Sequence, residues 1–132
     1  MSESGIVYSA IKTPDGTILQ SRHRHDYQTY TDKNGKEYMI DGGLDYIRSS
    51  DNGDEEYITI TLNHDHNIVR EYTTWGTYGI YGDEPLRYIT LKDMTTEHIE
   101  AVLDNVRNIH PNLRAAFLNE LEYRGVYDRI DT

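Results

Sequence analysis

The apolar pattern of this chain changes period once, near residue 92, and that change restricts the fold class more than any other feature. Before it, short alternating segments are separated by glycine, proline, aspartate and asparagine clusters. After it, Ile99, Val102, Leu103 and Val106 recur every three to four residues. A period of two belongs to half-buried strands and a period near 3.6 to amphipathic helices.

The turns can be placed from chemistry. Pro14-Asp15-Gly16 lies between Ile6–Ala10 and Thr17–Gln20. Asp32-Lys33-Asn34-Gly35 separates 23–31 from 36–41, and Asp51-Asn52-Gly53-Asp54 separates Leu44–Ser49 from Glu56–Leu62. Proline presets φ, while glycine and asparagine accept positive φ, so each cluster predicts a hairpin. Within Glu56–Leu62, Tyr57, Thr59 and Thr61 alternate with Ile58, Ile60 and Leu62. Two further strands are expected at Ile68–Trp75 and Leu86–Leu91, joined by a glycine-punctuated loop.

Thr95 is a good N-cap for the first helix, with Met94 and Ile99 placed as a hydrophobic staple and Glu97 in the first turn. Pro111 opens a second helix, whose stripe is Leu113, Ala116, Phe117 and Leu121, and Gly125 is its stop. The expected fold is α+β: a twisted antiparallel β-meander sheet over residues 6–92, followed by a C-terminal two-helix hairpin over 95–124. A loose tail is expected at 126–132, and the whole, 1–132, is read as a single domain.

The 132-residue chain has no cysteine, so disulfides and thiolate metal sites are excluded. It has no apolar run long enough for a membrane helix and no basic, apolar leader at its start, so a soluble protein of a reducing cytoplasm is expected. Its formal net charge of −10 argues against DNA or RNA polymers as partners. Its aromatic content is 12 Tyr against one Phe and one Trp, which suggests a thin core and a tyrosine-rich contact surface. A homo-oligomer is expected on that ground.

The segment Ser21–Arg48 concentrates groups that bind things. Arg22, Arg24 and Arg48 suit phosphates or carboxylates. Tyr27, Tyr30, Tyr38 and Tyr46 can stack and hydrogen-bond. Gly42-Gly43 marks a sharp turn that returns Tyr46 and Arg48 toward the 22–27 segment. Two His-x-His pairs, His23/His25 and His64/His66, lie near Asp26 and Asp65, a pattern open to metal binding or to ordinary hydrogen-bonded histidines. No nucleophile motif and no phosphate-binding loop is recognisable. Trp75-Gly76-Thr77-Tyr78-Gly79 reads either as a core anchor or as an aromatic platform.

Two blocks carry a resemblance: HDYQTYTDKNGKEYMIDGGLDYIR, then WGTYGIYGDEPLRYITLKDMTTEHIEAVLDN. Together they resemble a small protein of tailed bacteriophages, over roughly residues 20–124. The layout is similar to phage anti-Thoeris proteins, which bind a cyclic ADP-ribose isomer and in some cases cyclic oligonucleotides. That resemblance implies an oligomeric immune-evasion protein in the cytoplasm of an infected bacterium, holding its nucleotide signal without cleaving it. It implies no catalytic residue, no metal and no cofactor.

For such a ligand the residue chemistry suggests Arg24 and Arg48 for phosphates and Tyr27 as a stacking partner on the same segment. Trp75, Tyr78 and Arg107 suit the base, and Asp104 and Asn105 the ribose hydroxyls. Arg87 serves either ligand or fold. The competing readings are an acidic inhibitor of a host enzyme and a metal-dependent hydrolase built on the histidine pairs.

Overall fold

The structure is a computed structural model that describes residues 5–79 and 81–126. The chain divides into two compact units, residues 1–61 and 62–132. The boundary lies before the last strands, not at the change of period, because those strands pack with the helices.

In the first unit, β1 (Ile6–Lys12) is the middle strand of an antiparallel sheet. Its neighbours are β2 (Ile18–Gln20) and β6 (Glu56–Thr61). All of β1 except Lys12 is buried, which suits a strand with partners at both edges. A second antiparallel sheet contains β3 (Gln28–Thr31), β4 (Glu37–Asp41) and β5 (Arg48–Ser49). Ile11, Leu19, Tyr38 and Ile40 form the core, with Tyr30 against it. The Pro14 and Asn34 turns form as expected. Asp32 accepts from the amides of Asn34 and Lys36, and Gly35 has φ +83°.

The α+β class holds; among the described residues every strand pair is antiparallel, and the strands divide into three small sheets instead of one meander. The hairpin expected between Leu44–Ser49 and Glu56–Leu62 does not form. β5 pairs with β4 through Asp41↔Arg48, whereas β6 crosses to β1 through Ala10↔Ile58. The strand expected over 23–31 is reduced to Gln28–Thr31. Asp26 is the reason: its carboxylate takes the Arg22 amide and the Gln28 side chain, a local alternative to a ladder.

The second unit begins with α1 (His66–Tyr72), where a strand over Ile68–Trp75 was expected. Asp65 caps this helix by accepting from the Asn67 amide, and Val69 is its one buried residue. A good cap and a single buried anchor prevail over the β-propensity of Ile68 and Val69. The strand starts later, as β7 (Thr74–Thr77), and pairs with β8 (Arg87–Thr90). A 3-10 turn, Leu91–Asp93, leads to α2 (Thr96–Asn105) and α3 (Pro111–Tyr123).

Both expected helices form. Thr95 accepts from the His98 amide at 3.1 Å, and Met94 and Ile99 are buried. The α3 stop is a Schellman motif: the Gly125 amide donates to Glu122 O and the Val126 amide to Leu121 O. The expected loose tail lies outside the described residues beyond Val126.

Candidate functional site

The β7–β8 ribbon builds the site. Its register opposes Trp75 to Ile89 and Thr77 to Arg87. Opposed residues share a face, and so do residues two apart, so these four side chains lie on one side of the ribbon. At one end of that face the Trp75 ring meets Phe117 of α3 edge-on, with centroids 5.6 Å apart. At the other end is a cavity of about 550 Å³. The ribbon supplies Thr77, Gly79, Arg87 and Ile89 to it, and α2 with its lead-in supplies Asp93, Thr95, Glu97, His98 and Ala101. Its size is within the range of about 300–1,000 Å³ typical of small-molecule sites. Gly79 has φ +88°, and a Cβ there would meet the Glu84 carboxyl, so the cavity rim requires glycine.

The charges around the cavity are specific. Among the described residues, the Arg87 guanidinium has no carboxylate partner within ion-pair distance. His98 is held below the usual histidine range, first by burial and then by Arg87. It is therefore a neutral imidazole at neutral pH. Thr77 and Thr95 accept from the Gly79 and His98 amides, which leaves both hydroxyl protons available. The cavity thus offers one guanidinium fork, two hydroxyl donors, a neutral imidazole and two carboxylates.

A second polar cluster of this unit is closed. Glu120 is fully buried on α3 and is met by two arginines and a histidine. Arg70 donates from Nε and Nη2 at 2.9 and 2.8 Å, Arg124 from Nε at 2.6 Å, and His66 Nε2 lies at 2.8 Å. Arg124 continues to Thr96 Oγ1 and to the carbonyls of Leu91 and Met94. Arg70 also lies 4.7 Å over the Tyr123 ring. Burial raises the Glu120 pKa, but the hydrogen bonds from Arg70, Arg124 and His66 outweigh it and hold the carboxyl at about 2. This clasp joins α1, α3 and the start of α2. The i,i+4 spacing of Glu120 and Arg124 is legible in the sequence, whereas Arg70 lies fifty positions away.

The residues expected from sequence are distributed as follows. Arg87 lines the cavity. Trp75, half-buried, shares its face and packs edge-on against Phe117. Tyr78 is exposed between the lining residues Thr77 and Gly79. Asp104, Asn105 and Arg107 are exposed at the far end of α2, outside the lining, and Asn105 donates to Ala101 O. In the first unit Arg24 and Tyr27 are exposed on the 21–27 loop, and Arg48 donates to the buried Asp41 at 2.9 Å. That loop is fastened to the glycine pair: Ser21 Oγ donates to Asp26 O and accepts from the Gly43 amide. A Cβ on Gly43 would collide with the His23 backbone. Sequence reasoning missed Thr77, Asp93, Glu97 and His98 as members of one site. Only the β7–β8 register joins Thr77 to Arg87, and only the packing of α2 adds the others.

The histidine pairs do not lie on strands. His23 and His25 belong to the loop, with His25 at φ +67° and its Nδ1 2.7 Å from Tyr46 Oη. His66 opens α1 and faces Glu120. Among the described residues no group of three or more histidines and carboxylates is placed to hold a metal ion. No described helix is long and apolar enough to cross a membrane. Comparison of the chain with protein-family models, curated proteins and solved structures finds no match.

Proposed function

We propose that the protein binds a small host nucleotide signal in the cavity between the β7–β8 ribbon and α2, and sequesters it without cleaving it. The reading places it among phage immune-evasion proteins acting in an infected bacterium, as a homo-oligomer. The observation that carries it is the cavity with an arginine that has no carboxylate partner among the described residues, beside hydroxyl donors and a neutral imidazole. The nucleotide class comes from the sequence resemblance.

The test is retention and release. The protein is incubated separately with a cyclic ADP-ribose isomer, cyclic oligonucleotides and cyclic mononucleotides, freed of unbound ligand, and then heat-denatured. Recovery of one intact nucleotide supports sequestration. A cleaved product makes the protein an enzyme, and no retention favours a direct inhibitor of a host protein. The Arg87→Ala variant should lose retention while remaining folded. Sedimentation of the purified chain checks the oligomer.

A further inference from the structure

We infer that the cavity selects a nucleotide with a single negative charge, a cyclic mononucleotide, over ligands with two or more, such as diphosphates and cyclic dinucleotides. The inference rests on the sequestration reading and replaces the multiply charged ligands that the resemblance implies with a singly charged one. The charges lining the cavity carry it. Among the described residues Arg87 is the one lining cation, against two lining carboxylates, Asp93 and Glu97. His98 adds no charge at neutral pH, because burial and Arg87 both oppose its protonation. The neighbouring cation in sequence, Lys92, is not a lining residue and lies 3.9 Å from Glu71.

One guanidinium satisfies one phosphodiester through two parallel N–H···O bonds. The Thr77 and Thr95 hydroxyls can donate to the same group. A second phosphate finds no cation among the described lining residues and shares the cavity with two carboxylates, whose like charge disfavours it. Asp93 and Glu97 instead suit ligand donors. Asp93 uses Oδ2 to accept from Thr90 at 3.0 Å, which leaves Oδ1. Such carboxylates accept from a sugar 2′-hydroxyl or an exocyclic amino group, both carried by an aminated cyclic mononucleotide. Ile89 and Ala101 give the base an apolar wall.

The experiment is calorimetric titration with cyclic AMP, ADP-ribose and adenosine at physiological ionic strength. Cyclic AMP should bind at least about tenfold more tightly than ADP-ribose. Arg87→Ala should reduce cyclic AMP to the level of adenosine. The Asp93→Asn/Glu97→Gln variant should narrow the preference by improving ADP-ribose, and Glu97→Gln alone, at an exposed helix position, should do so in part. If the wild-type chain held ADP-ribose as tightly as cyclic AMP, the selectivity would be wrong while sequestration stood. An unchanged preference in both carboxylate variants would also overturn it. If no nucleotide of the retention panel bound, both readings would fall together.

Discussion

The Glu120 clasp and the Arg87 cavity lie in the same unit and use the same residue types, to opposite ends. In the clasp a fully buried carboxylate meets two arginines and a histidine, and the hydrogen-bonding capacity is consumed internally. In the cavity Arg87 stands near two carboxylates without pairing to either. The difference shows that what distinguishes a structural charge from a binding charge is commitment, not identity. A guanidinium bonded to a buried carboxylate holds helices together, and one left unpaired beside a cavity is available to a ligand.

Removing the centre of the clasp is the strongest way to test this contrast. Glu120→Ala leaves Arg70 and Arg124 half-enclosed without a counter-charge and should lower unfolding free energy by about 3–5 kcal/mol. Urea denaturation reads this directly, and a loss below about 1 kcal/mol would mean that the clasp is not structural.

Acid should act on the same group. The folded pKa of Glu120, about 2, lies below the ordinary 4.5, so the unfolded chain takes up the proton first. Its contribution is therefore full above pH 4.5 and lost as pH falls toward 2, an effect of about 3 kcal/mol. Glu120→Gln should flatten the stability profile across that window, and an unchanged acid limb would assign it to other carboxylates.

Smaller again is Arg124→Lys, expected to cost about 1–2 kcal/mol. Lysine retains the charge but cannot reach Glu120, Thr96 and the two carbonyls with one planar fork. Thermal unfolding at neutral pH would reveal it. The smallest expected effect is Arg87→Ala, whose stability should remain within about 0.5 kcal/mol of wild type. A large loss at Arg87 would make it a structural residue like Arg70 and remove the contrast.

Local features of the fold were legible where local chemistry decides. The Asn34-Gly35 turn, the Thr95 cap and the Gly125 stop each depend on residues a few positions apart, and each forms. The strand expected over Ile68–Trp75 failed for a related local reason: Asp65 caps a helix there by accepting from the Asn67 amide. The hairpin expected across Asp51–Asp54 failed differently, because the partner of β6 is β1, some fifty residues earlier. No turn signal encodes that pairing. Of the site, Arg87 was visible as a cation on the last strand. His98 and Glu97 were visible only as members of a helix.

The sequence by itself determined the α+β class, the positions of the main turns and the ends of the two C-terminal helices. These follow from backbone preference, capping and periodicity, which act within one or two turns of chain. Tertiary structure alone decided which arginines are committed and which are free. That depends on whether a carboxylate from a distant segment arrives within hydrogen-bonding range. Glu120 reaches Arg70 across fifty positions, and no carboxylate reaches Arg87 among the described residues.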